Sequence, residues 1–387
     1  MTVYYPDHTN LLLFLVPVAI IAGQFELWSP TVIFTLNLIA VAPLATTSSF
    51  AIRQMSMNLN DDLGNLLMAI SGNTVELIIC LVALKEGKIG VVQSTILGSI
   101  LLNVLLVMGL TFFLGGIFNM RDQGGEGLEQ RFASATAETT RSFMMMSLAS
   151  LVIPATLYSA LSKADSADRE HAILLLSRGT AIVLLVLYFM YLLFQLHTHP
   201  DLFSTQIPYE ESADDYPSIN AYTAAFLVLL VTFLISACSN YFVGRIDEAA
   251  EIIRVSNDFV AIVFIPTVSN AAEHITAIDM GIRNKMDLAM GVAMGSCIQV
   301  ALFIAPLLVI VGWTALDKPM TLRFETFQTI ALMFSVLVAY TAQDGKSNYL
   351  KGAMLIGLYS IVAVAIFVSP SDALDKACCI PCTIPGR

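Results

Sequence analysis

Charged residues are scarce in this sequence. Only 13% of its 387 residues are Asp, Glu, Lys or Arg, whereas 57% are apolar. Soluble globular proteins carry about 25% charged residues, which keep their surfaces in water. The composition therefore excludes a soluble globular protein and predicts a polytopic membrane protein whose main surroundings are the lipid bilayer.

Basic residues and metal-binding side chains are also few. Lys and Arg number 19 against 30 Asp and Glu, which gives a net charge of −11. A nucleic-acid-binding protein needs clustered Lys and Arg, so nucleic acid is excluded as a partner, and cations suit the chain better. No Cys or His cluster has the spacing of a zinc or copper site. We therefore expect no bound cofactor.

Hydrolase signatures are missing as well. The sequence has neither His-Glu-x-x-His nor Gly-x-Ser-x-Gly, and the adjacent pair Glu273-His274 points to two different faces of a helix. We therefore expect that the protein is not an enzyme. The first apolar run, from Leu11, continues past Ala22 without a small-residue cleavage site, which indicates a retained helix rather than a signal peptide.

Long apolar runs are what the sequence has in abundance. A helix crosses a bilayer with about 17 to 25 apolar residues. Eleven runs are long enough, and together they predict an all-α polytopic membrane protein with about eleven transmembrane helices: 10–28, 31–50, 63–85, 90–116, 138–161, 173–196, 220–243, 256–280, 286–313, 324–341 and 350–369.

A carboxylate lies inside the third run. It is Glu76, in the string Gly-Asn-Thr-Val-Glu-Leu-Ile of residues 72–78. Because an uncompensated charge at bilayer depth costs about 3 kcal/mol or more, such a residue indicates a functional site. The eighth run repeats the pattern as Ser-Asn-Ala-Ala-Glu-His (269–274), and each motif is followed 26 positions after its first residue by Gly-Ser. The chain is therefore interpreted as a duplication.

Superposing the two motifs pairs helices 2–6 with helices 7–11 and leaves helix 1 over. Five is an odd number, so the two halves enter the membrane from opposite sides, as in inverted-repeat transporters with a site near the midplane. The predicted organisation is an N-terminal helix (1–30), a first five-helix repeat (31–196), an acidic linker (197–219), a second repeat (220–370) and a tail (371–387).

The linker carries four acidic residues whose spacing puts them on one face of a short helix: Glu210, Glu211, Asp214 and Asp215. Charge runs usually keep a loop in water. Two interpretations therefore stay open, a solvated connection and a cation-gathering or regulatory segment.

The two motifs can supply an oxygen-rich cation site. Asn73 and Glu76 share a helix face, as do Asn270 and Glu273. Two carboxylates and two amide oxygens suit a hard cation such as Ca²⁺, which takes six to eight oxygen ligands. Gly72 can loosen its helix and free carbonyls, although close helix packing explains a lone glycine equally well.

Neighbouring polar residues are candidates for support of this site. Ser99 and Ser296 offer hydroxyls, Asn103 and Gln299 lie one turn further, and Gln93 is a weaker candidate. Hydrogen bonds that join helices are the alternative for each. His274 is four positions from Asn270 and can relay a proton or sense pH, with helix packing as the alternative.

Proton coupling follows from the pair of glutamates. Two carboxylates in a dry cavity cannot both ionise cheaply, so protons and a cation compete for the same oxygens. If only the loaded forms switch between the two sides, that competition makes an exchanger. A Na⁺-coupled exchanger of the same fold and a transport-deficient cation sensor remain alternatives.

These residues resemble the cation/proton exchangers of the calcium/cation antiporter superfamily, in the branch typified by fungal vacuolar Ca²⁺/H⁺ exchangers. The likeness is carried by residues 72–78, 83–85 and 93–103 in the first half, and by residues 265–266, 270–274, 285–291 and 295–303 in the second. The eleven-helix plan with an extra first helix is also the family's.

The resemblance implies Ca²⁺, with Mn²⁺ as a second candidate, moving from the cytosol into the vacuole in exchange for H⁺. Glu76 and Glu273 would be the central cation and proton ligands, with Asn73 and Asn270 beside them, and Ser99, Ser296 and Gln299 would line the site. The resemblance also implies a cytosolic N-terminus and a cytosolic acidic helix between the halves. Whether copies of the chain form a homo-oligomer is left open.

The sequence departs from the family at three places, one of which is Ser71 and Met68 in place of its usual Phe and Asn. The family usually has an acid in an Ala-Thr-Glu string before the first motif, where this chain has Ala51-Ile52-Arg53-Gln54, while the second half keeps an acid, Glu251. Glu251 is therefore a candidate for proton support. Ser269 stands where the family has glycine.

Overall fold

The computed structural model describes residues 12–26, 28–121, 129–132, 134–161, 166–200 and 217–369. These residues form fourteen named helices and one two-stranded ladder. The helices are α1 (Leu15–Phe25), α2 (Pro30–Met57), α3 (Asp61–Ser71), α4 (Thr74–Lys85), α5 (Ile89–Phe118), α6 (Ser134–Ala160), α7 (Ser166–Leu193), α8 (Ala221–Gly244), α9 (Ile246–Ile253), α10 (Asn257–Ser269), α11 (Ala271–Ile282), α12 (Met286–Leu316), α13 (Thr326–Ala342) and α14 (Tyr349–Val368). The strands are β1 (Gln130–Arg131) and β2 (Lys346–Ser347).

The predicted all-α membrane fold is confirmed. Within the described ranges, seven helices are long and apolar enough to cross a membrane, namely α2, α5, α7, α8, α12, α14 and residues 141–158 of α6. Two bent pairs pass the same test, α3 with α4 at 51° and α9 with α10 at 107°, and α1 and α13 are shorter apolar helices. The predicted run 63–85 is thus two helices rather than one. The exact count of eleven spans stays a prediction.

The spans alternate in direction, so the helix ends fall into two groups. We define end A as the end where α2, α5, α7, α11 and α13 finish, and end B as the end where α1, α4, α6, α8 and α12 finish. Contacts between distant loops agree with this division. At end A, Asn119 donates to the carbonyl of Ile282, and at end B, Lys88 pairs with Asp247.

The duplication is visible in the backbone. Residues that lie 197 positions apart, as Glu76 and Glu273 do, are called mates here. The turn after α4 uses Gly87 with φ 76°, and the turn after α11 uses its mate Asn284 with φ 60°. Glycine and asparagine tolerate this left-handed geometry best. α5 and α12 also share a π-helical segment at mated positions, 102–107 and 300–304. The mated helices α2 and α8 pack extensively against each other.

At end A the two halves are joined by the β1–β2 ladder. The ladder pairs Gln130 with Ser347 and Arg131 with Lys346 in antiparallel register. The Gln130 amide is buried and donates to the carbonyl of Gly281 and to Oδ1 of Asn284. Hydrogen bonds from Asn348 and Lys346 hold the pKa of the adjacent Glu129 below its usual value.

Gln54, which stands in place of the family acid, has a structural partner. Its Oε1 accepts from the backbone N–H of Ser218 at 2.8 Å and of Ile219 at 3.4 Å. The C-terminal part of α2 is thereby attached to the segment that leads into α8. The predicted acidic linker residues Glu210, Glu211, Asp214 and Asp215 lie outside the described residues, and the predicted domain boundaries stay predictions.

Candidate functional site

Two helix breaks with the same local geometry lie at the centre of the site. α3 and α4 are separated at Asn73, with φ −105° and ψ 34°, and α10 and α11 are separated at Asn270, with φ −105° and ψ 13°. Both values fall outside the α-helical region. In each copy the glutamate lies in the first turn of the helix that follows the break. The break that Gly72 makes feasible in the first motif is therefore present, and the second motif has one at the mated position.

Glu76 is completely buried. Its exposed fraction is 0%, and neither of its carboxylate oxygens accepts a hydrogen bond. Ser99 and Asn270 are the polar side chains beside it, and Glu273 is the nearby charge. Oδ1 of Asn73, one turn away, is also buried without a donor. Three acceptor oxygens in one helical turn thus lack partners, which is costly in a buried place unless a proton or a cation meets them.

Glu273 has a more polar environment than its mate. Its Oε2 accepts a hydrogen bond of 2.6 Å from the hydroxyl of Ser296 on α12. In the other half, the hydroxyl of Ser99 on α5 accepts a long hydrogen bond of 3.4 Å from Nδ2 of Asn270. The glutamates, asparagines and serines predicted from the two motifs therefore meet in one buried cluster contributed by α4, α5, α11 and α12.

Gln299 fills the first helix break from the opposite half. Its Oε1 accepts from Nδ2 of Asn73 at 2.8 Å, and its Nε2 donates to the carbonyl of Ile70. That carbonyl belongs to the last turn of α3, where helix carbonyls have no partner within the helix. Gly72 makes the approach feasible, because a Cβ there would lie 2.8 Å from Oε1 of Gln299.

The remaining candidates lie at different distances from the cluster. Asn103 is buried on α5, one turn beyond Ser99, and its Nδ2 has no hydrogen-bond partner. His274 is half-buried next to Glu273, and its Nε2 is also unpartnered. Gln93 is not brought to the glutamates: its amide donates to the carbonyl and hydroxyl of Thr321 in the end-B loop before α13.

Glu251 is likewise away from the cluster. It lies on α9, the short helix at end B, and its side chain is exposed. The fold therefore gives it no contact with the two central glutamates. Gln93 and Glu251 are candidates because of their positions along the chain. Position alone does not show which loop or helix each side chain contacts.

The cluster fits a hard cation better than a soft one. In the described part of the chain, no three His, Cys, Asp or Glu side chains come together. The available ligands are two carboxylates, amide and hydroxyl oxygens and the carbonyls at the breaks, which suit Ca²⁺ or Mn²⁺ rather than zinc. Because Glu76 is buried and Glu273 is half-buried, the same oxygens can also take up protons.

Comparison with known proteins agrees with this fold and cluster. The chain matches the family described as sodium/calcium exchanger protein over residues 29–197 and 223–368. It belongs to the sodium/calcium exchanger family. Among its family relatives, the vacuolar calcium ion transporter of Schizosaccharomyces pombe is 43% identical over 371 residues, which cover 95% of this chain and 87% of that protein.

Two further matches cover most of the chain. The vacuolar cation/proton exchanger 3 of Arabidopsis thaliana is 38% identical over 93% of this chain and 78% of its own length. The solved structure of native YfkE superposes with a TM-score of 0.75 and 29% identity, over 93% of this chain and 100% of that one. By their names, the two vacuolar relatives are a transporter and an exchanger.

Ser296 and Ser99 make hydrogen bonds of different lengths, and this difference can be tested. We expect Ser296→Ala to raise the KM for Ca²⁺ by about tenfold or more, since a hydrogen bond to a charged group contributes about 1.5–3 kcal/mol. Ser99→Ala, which removes the hydroxyl that accepts the long contact from Asn270 beside Glu76, is expected to change the KM less. Initial rates of ⁴⁵Ca²⁺ uptake over a range of Ca²⁺ concentrations measure both values. A larger effect at Ser99 would contradict the assignment.

Proposed function

We propose that this protein is a vacuolar antiporter that moves Ca²⁺ from the cytosol into an acidic compartment in exchange for H⁺. Mn²⁺ is the second cation that the ligand set suits. The observation that carries the proposal is the fully buried Glu76, whose two oxygens lack donors and which lies beside Glu273 from the other half. A cation bound between the two glutamates would balance the negative charge of both carboxylates.

Exchange follows from competition at one cluster. When Ca²⁺ occupies the oxygens, both glutamates are ionised, and when it leaves, at least one of them must take up a proton because two buried charges repel. Each loaded form is close to neutral inside the bilayer, whereas the empty charged form is costly to move. Ca²⁺ and H⁺ are therefore carried in opposite directions.

The names of the relatives support both the cargo and the compartment. Proteins called vacuolar calcium ion transporter and vacuolar cation/proton exchanger resemble this chain over more than nine-tenths of its length. The cytosolic N-terminus that the sequence resemblance implies would make end A the cytosolic end and end B the end that faces the vacuolar lumen. Glu76, Glu273, Asn73, Asn270, Ser99, Ser296 and Gln299 are proposed as the residues that hold the cation.

The test is ⁴⁵Ca²⁺ uptake into proteoliposomes that are acidic inside. We expect uptake that disappears when an ionophore collapses the pH gradient. A Na⁺ gradient imposed without a pH gradient is the comparison: uptake driven by Na⁺ alone would make the protein a Na⁺-coupled exchanger. Ca²⁺ binding without flux under either gradient would make it a cation sensor.

A further inference from the structure

The two halves are in close contact along α5 and α10 at end B. A Cβ on Gly98 would lie 2.4 Å from the carbonyl oxygen of Ile262, so the two backbones touch there. One turn nearer to end B, the hydroxyl of Ser94 donates to Oδ1 of Asp258 at 2.8 Å. Together with the Lys88–Asp247 ion pair, these contacts close the side of the site that faces end B.

The mated contact is absent at end A. The mate of Gly98 is Gly295 on α12, and the mate of Ile262 is Asn65 on α3. Nothing lies within 4 Å of a Cβ built on Gly295, and Asn65 is exposed. A glycine with open space around it has no packing reason to be a glycine in this conformation.

Burial along the broken helices shows the same asymmetry. Within residues 62–71 of α3 only Gly64 is buried, whereas the mated stretch 259–268 of α10 buries Val260, Ala261, Ile262, Ile265 and Pro266. Most residues of the end-A helices α3 and α11 are half-buried or exposed, whereas the end-B helices α4 and α10 bury more of theirs. The close contact between the two halves is therefore made on the end-B side of the cluster and not at the mated positions on the end-A side.

We propose that Gly295 and Asn65 form the contact that closes end A in the other transport state, as Gly98 and Ile262 close end B in this one. The inference rests on the proposed function, because it assigns two states to one transport cycle. Gly295 is then needed for a conformation that this structure does not show. Gly98 then makes the contact between the two halves in one state, and Gly295 makes it in the other.

Gly295→Ala tests the inference directly. The methyl group fits the open space of this state, so we expect a melting temperature and an equilibrium Ca²⁺ affinity like those of the wild type. Closing end A would drive the methyl group into the α3 backbone, so we expect exchange to slow by at least about tenfold. Gly179→Ala, at another glycine with nothing within 4 Å, is the matched control.

A second set of variants tests the end-B side of the same cycle. Lys88→Asp places two like charges together and is expected to favour the end-B-open state. The KM for cytosolic Ca²⁺ should then rise about threefold or more, because only the remaining end-A-open fraction binds. The exchanged pair Lys88→Asp with Asp247→Lys restores the ion pair and should return the KM towards the wild-type value.

The outcomes separate this inference from the proposed function. If wild-type protein shows no proton-driven ⁴⁵Ca²⁺ uptake, the proposed function fails. If the wild type and Gly295→Ala exchange at equal rates, the inference is overturned and the function stands. A Gly295→Ala protein with a lowered melting temperature or lost Ca²⁺ binding would also overturn it, because the structure has room for that methyl group. If the exchanged pair did not return the KM towards the wild-type value, the Lys88–Asp247 ion pair would not be part of the contact that closes end B.

Discussion

Replacement of Glu76 by glutamine is expected to reduce proton-driven ⁴⁵Ca²⁺ uptake by at least about 100-fold, since removing one partner of a buried charge pair costs about 3–5 kcal/mol. The carboxylate is 0% exposed, so water cannot take over its part as a cation ligand. Glu273→Gln is expected to have an effect of the same order. Uptake into acid-loaded proteoliposomes measures both.

The control for this loss is Glu251→Gln, which neutralises an exposed carboxylate on α9. It should leave the uptake rate close to that of the wild type. Glutamine has almost the volume of glutamate, so melting temperatures should show that Glu76→Gln and Glu273→Gln remain folded. Uptake that survives at either central position would exclude that glutamate as a cation ligand.

Gly352→Ala is expected to destabilise the fold by about 3 kcal/mol, the upper part of the range for overpacking. A Cβ at Gly352 on α14 would lie 2.3 Å from the backbone nitrogen of Phe113 and 2.6 Å from the carbonyl oxygen of Gly109, both on α5. Backbone atoms cannot turn aside as a side chain can. Small residues at such crossings are what allow membrane helices to pack closely.

Gly357→Ala on the same helix is the matched control. Nothing lies within 4 Å of its Cβ position, so the substitution should change stability by less than about 1 kcal/mol, in the direction of alanine's higher helix propensity. Thermal unfolding of both variants in one detergent measures the difference. Equal melting temperatures would mean that α14 does not pack against α5 as closely as the structure has it.

The repeated motifs predicted much of the cluster, because a duplication preserves spacing. The Asn-x-x-Glu strings and their Gly-Ser partners placed two glutamates, two asparagines and two serines in a common site. Comparing every residue with its mate would also have paired Gly87 with Asn284, whose left-handed turns follow α4 and α11. The repeated motifs were sufficient to predict the site residues wherever one half repeats the other.

Long-range contacts could not be predicted in this way. Gln93 meets Thr321 across 228 positions, and Gln54 meets the backbone of Ser218 across 164. Such partners are decided by how α5 and α2 pack, which no local pattern encodes. The difference between Gly98 and Gly295 is invisible in the sequence for another reason: both are glycines followed by a serine, and only the conformation distinguishes their surroundings.

The opposite orientation of the two halves has an evolutionary consequence. The first half ends at end A and the second begins there, so a polar connection that never crosses the bilayer is enough to join them. A single half by itself would leave a broken helix and a glutamate facing lipid, which is costly. An ancestral half would therefore have been useful only when two copies inserted in opposite orientations. Fusion of the two genes would have fixed the ratio of the two orientations and freed each copy to diverge.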